Sequence, residues 1–169
     1  MPEYRPPQRT IPARILTPAG WMTGTFHVSR LHSFLDYASQ TASFFTLTRV
    51  TLPGQKDALP FLALRRSAAR IILPSCDESQ LMLAPPQGET DEHKVRCMLD
   101  AGVLSGLLTL KKRVRVSDFL AHHVGYLLLR DCELGEAHIP APMAFVNSSA
   151  VVAIGDEGRR RAEPQRSHG

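Results

Sequence analysis

Apolar and polar residues alternate along most of the chain with the two-residue period of half-buried β-strands. Clusters of glycine, proline and serine, which are typical of turns, separate the alternating stretches. The first two stretches, 13–17 and 21–28, are joined by a short turn that ends at Gly20, so they predict a β-hairpin. Ser33 and Ser117 each lie just before a Phe-Leu pair and predict the N-caps of two short helices. The pattern as a whole predicts a mainly β fold with short helices.

The chain also matches itself at an offset of 82 residues, where 13–73 and 95–155 share ten identities outside one short stretch. A further match, of Phe34-Leu35 with Phe119-Leu120, needs an offset of 85 and therefore a local slip of three residues. Chance similarity between two β-rich halves is the alternative explanation. We expect a tandem duplication, because self-similarity at one fixed offset is the signature of repeats. These ten pairs are Arg14/Arg96, Ala19/Ala101, Gly20/Gly102, Gly24/Gly106, Leu47/Leu129, Leu52/Leu134, Pro60/Pro142, Ser67/Ser149, Ala68/Ala150 and Ile72/Ile154.

Each copy has the element order β-β-α-β-β-β over about 60 residues, and a unit of that size is marginally stable alone. Gly24 and Gly106 lie inside the second strand of each copy, where glycine usually marks a bulge or a bend. We therefore expect two tandem, small barrel-like units that are packed together, with side-by-side packing and strand exchange both open. The third strands are expected at 44–52 and 126–134, and the loops after them at 53–60 and 135–142.

Proline, glycine and charge mark the boundaries of these two copies. The stretch between them contains Pro85, Pro86 and several acidic residues, and the C-terminal stretch is polar and rich in arginine. The predicted organisation is a flexible N-terminal segment (1–11), a first β-rich repeat (12–74), a linker (75–93), a second β-rich repeat (94–155) and a flexible Arg-rich tail (156–169).

Composition and charge narrow the class of protein. The apolar fraction of 43% is that of a globular chain, and 20 basic against 16 acidic residues give a net charge of +4. Residues 12–155 carry only +2 of this charge, which is less than a dedicated nucleic-acid module usually shows. The chain contains no apolar run of about 20 residues, no hydrophobic leader and no CxxC pair, so we expect a cytoplasmic protein without a membrane span.

The second copy carries residues that resemble a bacterial family of small β-rich domains with no known activity. The matching residues are Arg96, Gly102, Gly106, Ser117-Asp118-Phe119-Leu120, Pro142-Met143-Ala144-Phe145-Val146-Asn147 and Val151-Val152. The first copy departs from this pattern, because Arg65 stands where the family has asparagine.

A looser resemblance links the bent, glycine-containing strand pair, with Gly106-Leu107-Leu108 and Asp118, to Sm-like barrels. That resemblance implies RNA binding as an alternative function. Both copies lack the closing I-R-G-type motif that contributes to RNA binding in Sm-like proteins.

Two clusters of basic residues differ between the copies and are the candidate binding residues. We hypothesise that each cluster binds phosphate or an acidic partner surface, and a solvated loop of like charges is the alternative. The clusters are Lys111, Lys112, Arg113 and Arg115 in the second copy, and Arg65, Arg66 and Arg70 in the first.

Cysteine and histidine have no metal-binding spacing, so we expect no metal site and no cofactor. Cys97 and Cys132 lie among apolar residues and are expected in the core. Cys76 stands beside Asp77 and Glu78, which should raise the pKa of its thiol. Nucleophile-elbow, P-loop and dinucleotide motifs are also absent from the sequence, so we expect no catalytic residue and no enzyme.

Two function hypotheses follow. The first is a non-enzymatic protein-interaction or structural module with an unidentified protein partner, and self-association into a homo-oligomer is left open. The alternative is a small basic RNA- or DNA-binding protein with Sm-like barrels, whose binding would weaken steeply with salt. The sequence has only three tyrosines and one tryptophan for stacking on bases, which favours the first hypothesis.

Overall fold

The computed structural model describes residues 6–160, and this part of the chain forms ten strands, three short helices and two 3₁₀ turns. The strands are β1 (Gln8–Thr17), β2 (Gly20–Ser29), β3 (Phe44–Thr51), β4 (Ala58–Arg65), β5 (Ile71–Pro74), β6 (Thr90–Leu99), β7 (Gly102–Lys111), β8 (Tyr126–Leu134), β9 (Ile139–Asn147) and β10 (Val151–Arg160). The helices are α1 (Phe34–Ala38), α2 (Glu78–Leu81) and α3 (Val116–His122). The first and second 3₁₀ turns are Arg66–Ala68 and Ser148–Ala150.

All ten strands belong to one antiparallel sheet, in the order β10-β6-β7-β8-β9-β5-β1-β2-β3-β4. The prediction of a mainly β protein with short helices is confirmed. The sheet is not closed: within residues 6–160, β10 and β4 are its two ends. Among the described helices, none is long and apolar enough to cross a membrane.

The strand pairings of the first half (residues 6–74) recur 82 positions later in the second half (residues 90–160). Every pair of β1 and β2, from Gln8–Ser29 to Thr17–Gly20, has its counterpart in β6 and β7. The pairings of β3 with β4 and of β5 with β1 recur in the same way, in β8 with β9 and in β10 with β6. The same backbone register is therefore present twice.

The predicted bulges lie at the two glycines inside the second strands. The ladder between β2 and β3 shifts register at Gly24, and the ladder between β7 and β8 shifts at Gly106. A Cβ atom on Gly106 would lie 3.0 Å from the Cys132 sulfur and 3.1 Å from the Leu129 Cβ. Glycine is needed there because the neighbouring strand crosses too closely for a side chain.

The helices correct two details of the sequence analysis. Ser33 caps α1 and accepts a hydrogen bond from the Asp36 N–H at 3.0 Å, as predicted. The prediction that Ser117 caps the second helix is wrong, because α3 begins at Val116 and Arg115 precedes it. Phe34 and Val116, the first residues of α1 and α3, are 82 positions apart, so the three-residue slip is not needed.

Several strands extend beyond their expected ends. Residues 8–11 belong to β1, 90–93 to β6 and 156–160 to β10, although we expected these stretches to be flexible or to form the linker. They continue the ladders with neighbouring strands of the sheet, which gives their backbone groups hydrogen-bond partners that a loop lacks. The rest of the expected tail, 161–169, lies outside the described residues.

The loops after the third strands are also shorter than expected, because β4 begins at Ala58 and β9 at Ile139. Pro60 and Pro142 consequently lie inside strands. A proline fits there because β4 is an edge strand, and because β5 pairs with β9 only at Phe145 and Val146.

Both hydrophobic cores contain residues from each half. The first core surrounds Phe26, Phe34 and Phe45 and includes Tyr126 and Phe145 from the second half. The second core is built around β6, β7 and β8 and includes three residues of the first half, Leu16, Ile71 and Leu73. The halves are thus packed into one structure through β5 and β9.

Candidate interaction surface

The contact between β5 and β9, which we call the internal junction, joins the two halves by their sheet edges. Ile71 pairs with Val146 and Ile72 with Phe145, and the Asn147 N–H donates to the Arg70 carbonyl at 2.8 Å. All four paired side chains are buried. The ladder is short, so side chains around it must supply most of the contact.

Polar side chains of the second half complete the internal junction. The Tyr126 hydroxyl donates to the Ala69 carbonyl at 2.9 Å, and the Asn147 Nδ2 group donates to the same carbonyl at 3.3 Å. Burial raises the pKa of Tyr126, so its phenol keeps the proton that it donates. The Asn147 Oδ1 atom accepts hydrogen bonds from the Ser149 N–H and hydroxyl. Each of these polar groups is therefore satisfied inside the contact.

The internal junction is also tightly packed. The Phe145 ring meets the Phe34 ring edge-on at a centroid distance of 4.9 Å. A Cβ atom on Gly125 would lie 2.7 Å from the Ser39 hydroxyl oxygen, so only glycine fits at this position. The edges of the two halves are complementary in shape here.

Strand β4 is apolar, and its outer edge faces solvent. Phe61 is 60% exposed and Leu59 is 37% exposed. Arg65 is the only charged residue of the strand, and no other strand pairs with its outer side within residues 6–160. Natural sheet edges usually carry lysine or inward charges that prevent further pairing. The charge-poor edge of β4 is consistent with a strand that is covered by a partner.

Phe44 and Arg65 lie at the end of the same edge. The Phe44 ring is 46% exposed, and the Arg65 guanidinium lies over it at 4.8 Å from the ring centroid. These two residues pair across β3 and β4, as Tyr126 and Asn147 do across β8 and β9. We call this exposed pair the edge knob.

The opposite end of the sheet carries a groove of about 350 Å³ between α3, the second 3₁₀ turn and β10. Val124 and Val152 line this groove and are 87% and 65% exposed. We call it the β10 groove. Among the described residues, no strand pairs with the outer side of β10.

Two of the predicted basic residues are partly buried and bind other groups of this chain. The Arg66 guanidinium donates to the Tyr37 and Ala38 carbonyls at 2.8 and 2.9 Å, and it lies 4.1 Å from the Phe45 ring centroid. Arg70 forms an ion pair with Asp100 at 2.5 Å. These side chains tie parts of the fold together, whereas Arg65 is exposed at the edge knob.

The second basic cluster lies at the end of β7 and in the following loop. Lys112 pairs with Glu89 at 2.8 Å, and the Arg113 N–H donates to the Asp91 carboxylate at 3.3 Å. Lys111 is the last residue of β7, and Arg115 comes just before α3. Acidic neighbours therefore balance part of this cluster.

The two basic clusters do not come together in one site. Lys112 contacts Glu89 just before β6, and Arg70 contacts Asp100 just after it. Because β6 has ten residues, these contacts are about 30 Å apart along the strand. Arg70 and Lys112 consequently do not contribute to one compact phosphate site.

The three thiols have raised pKa values, which disfavours the nucleophilic thiolate. Burial raises the pKa of Cys97 to about 11 and that of Cys132 to about 12. Partial burial, followed by the charge of Asp77, raises the pKa of Cys76. Within residues 6–160, no three His, Cys, Asp or Glu side chains are grouped so that they could hold a metal ion.

Comparisons with known proteins add no relative: no family model matches the chain, and neither a curated protein nor a solved structure matches it. The resemblances stated from the sequence therefore stay predictions.

Four apolar residues at the two edges were not predicted as candidate binding residues, namely Phe44, Phe61, Val124 and Val152. The comparison of the copies contained a signal for Phe44, because its counterpart at the 82-residue offset is Tyr126. Such a signal becomes informative only when the topology shows that one counterpart is buried and the other exposed.

Proposed function

We propose that the protein is a non-enzymatic interaction module that binds a protein partner along the outer edge of β4. The observation that carries this proposal is the edge itself, with Phe61 and Leu59 exposed beside the edge knob. An apolar edge with unpaired backbone groups can add a strand from another protein, and backbone hydrogen bonds then supply affinity.

The proposal includes the tandem origin of the two halves. Strand pairings that recur at 82 residues support two copies of one β-β-α-β-β-β unit. Recurrent helix starts at Phe34 and Val116 support it as well. In such a chain the internal junction uses one edge of each copy, and the remaining two edges are left for partners.

The contacts of the candidate residues support a structural rather than a catalytic role. Arg66 and Arg70 bind internal carbonyls and Asp100, and Tyr126 donates to Ala69 within the internal junction. The raised thiol pKa values of Cys97 and Cys132 also disfavour nucleophilic chemistry.

Photo-crosslinking in the cell that naturally contains the protein tests the proposed function. A photoreactive phenylalanine analogue replaces Phe61 on the β4 edge, or Ile139, which is 53% exposed and lies on β9, five strands away from β4 in the sheet. We expect discrete protein adducts from position 61 and none of those adducts from position 139. Equal crosslinking from both positions, or no protein adduct from position 61, would overturn the proposal.

One cleft favours nucleic-acid binding as the second candidate function. Arg115 and Arg159 line a cleft of about 370 Å³ together with His93, whose buried ring lies 3.4 Å from the Asp156 carboxylate in the same cleft. Two arginines in one cleft are suited to phosphate oxygens.

Fluorescence anisotropy with a labelled RNA and a labelled DNA oligomer tests this second function. Binding that weakens steeply with salt and is reduced by Arg115→Ala, but not by Arg70→Ala, would support it. Unchanged anisotropy at low salt would exclude it.

A further inference from the structure

The internal junction provides a direct comparison for the two outer edges of the sheet. In the register of 82 residues, β4 is the counterpart of β9, and β10 is the counterpart of β5. Strands β9 and β5 pair with each other, whereas β4 and β10 end the sheet on its two sides. The molecule thus contains the same pair of edges twice. One pair, β5 and β9, is joined, and the other pair, β10 and β4, is unpaired within residues 6–160.

Burial differs in the way that this comparison requires. Ile71 and Ile72 of β5 are 2% and 0% exposed, whereas their counterparts on β10 are exposed Ala153 and half-buried Ile154. Phe145 of β9 is fully buried, whereas its counterpart on β4, Ala63, is exposed. The surface that is buried at the internal junction is therefore still exposed at the two ends of the sheet.

The edge knob matches the β10 groove in position and chemistry. At the internal junction, Tyr126 and Asn147 reach over the first 3₁₀ turn and donate to the Ala69 carbonyl. Their counterparts at the edge knob are Phe44 and Arg65, and the counterpart of Ala69 is Val151, which lines the β10 groove. The aromatic ring has an apolar groove to enter, and the guanidinium supplies donors for a carbonyl.

We infer that the partner of the β4 edge is a second copy of this chain, which offers its β10 edge and β10 groove. The inference rests on the proposed function and names its partner. The register of the internal junction places Ala153 opposite Leu64 of the next copy and Ile154 opposite Ala63. Pro60, like Pro142 at the internal junction, leaves these ladder positions free to pair.

The contact is heterologous, because it joins two different surfaces of identical chains. After a single pairing, one copy still has an unused β10 edge and the other still has an unused β4 edge. Assembly therefore continues head to tail until a ring closes or a filament grows. A symmetric dimer would instead use the same patch on both chains.

Sedimentation of the purified full-length chain tests this arrangement with two single variants. Phe44→Glu removes the ring of the edge knob, and Val152→Glu places a charge in the β10 groove. Because both residues are exposed, each variant should fold. We expect the wild type to form species larger than two chains, and each variant alone to sediment as the 18.7 kDa monomer. Ile139→Glu, a matched change on β9, should assemble like the wild type.

Mixing the two variants gives the decisive measurement. The mixture contains one intact β10 edge and one intact β4 edge, so we expect dimers with one chain of each variant and no larger species. A monomeric wild type, a wild-type dimer that survives in both variants, or a mixture that stays monomeric would overturn the inference. Circular dichroism and thermal unfolding of each variant test whether the folded state is retained.

Cysteine trapping tests the register on the same protein. In a Cys76→Ser background, Leu64→Cys combined with Ala153→Cys should give disulfide-linked ladders under mild oxidation, because directly opposed residues have Cα atoms within disulfide range. Leu62→Cys with Ala153→Cys, displaced by two residues, should give at least tenfold less product. Equal yields from the two pairs would contradict the register.

The outcome at position 61 separates this inference from the proposed function. Crosslinking from position 61 to a different protein, with a monomeric wild type, would overturn the second copy as partner and leave the interaction module intact. Absence of any protein adduct would remove both.

Discussion

Arg66 shows how burial changes the role of a residue that looks like a binding residue in the sequence. Its guanidinium donates to the Tyr37 and Ala38 carbonyls at the end of α1, and partial burial lowers its pKa. The arginines predicted a basic cluster, but Arg65 is the one of the three whose side chain is exposed, whereas Arg66 and Arg70 are half-buried. A sequence window cannot distinguish these roles, because the carbonyls that bind Arg66 lie almost 30 residues away.

Cys132 leads to a prediction about stability at high pH. Its pKa is raised by burial from the ordinary 9.0 to about 12, so the folded chain keeps a proton that the unfolded chain releases above pH 9. Stability from this group is complete below pH 9 and declines as the pH rises toward 12, by up to about 1.4 kcal/mol per pH unit. From pH 8 to pH 10, the free energy of unfolding should therefore fall by about 1 kcal/mol more in the wild type than in Cys132→Ala.

Urea unfolding of the reduced protein at both pH values measures this difference. Cys76→Ala is the control, because its thiol is only partly buried, and it should change the pH dependence less than Cys132→Ala does. Identical pH dependence in the wild type and Cys132→Ala would contradict the assignment. The sequence correctly predicted Cys97 and Cys132 as core residues, since apolar neighbours on a strand are a local signal.

At the scale of elements, the strands and turns were largely predictable. The third strands begin and end within one residue of their expected positions, at Phe44–Thr51 and Tyr126–Leu134. Alternation and turn glycine depend on neighbouring residues, so a single sequence contains them. The short helices were harder, because a helix of five or seven residues has few positions from which to infer its start.

The N-caps of the two helices give a prediction at this scale. Ser33→Ala should lower the free energy of unfolding by about 1 kcal/mol, because it removes the hydroxyl that accepts from the Asp36 N–H. Ser117→Ala should have little effect, because Ser117 lies inside α3 and is exposed. Thermal or urea unfolding of both variants measures the contrast. A larger loss from Ser117→Ala would mean that α3 begins after Ser117, as the sequence alone predicted.

At the scale of the whole molecule, an ion pair joins the two halves near the internal junction. Arg70 precedes β5, and Asp100 lies in the turn between β6 and β7. The Arg70 side chain is only 17% exposed, so loss of its partner charge leaves a poorly solvated cation. We expect Asp100→Asn to lower the free energy of unfolding by about 1–2 kcal/mol.

Urea unfolding measures this loss, with Glu89→Gln as the control. Glu89 also pairs with a cation, Lys112, but both side chains are more than half exposed, so we expect no measurable change. Equal effects of the two substitutions would show that the Arg70–Asp100 pair does not contribute to the contact between the halves.

The sequence by itself determined the mainly β composition, the order of elements along each half, the turn glycines and the 82-residue recurrence. These features follow from alternation, glycine conformation and self-similarity, all of which are present in local stretches of sequence. Only the tertiary structure decided that β5 pairs with β9 and that β4 and β10 end the sheet. Backbone hydrogen bonds along a sheet edge are nearly independent of sequence, so the choice among similar edges depends on distant side chains such as Tyr126 and Phe145.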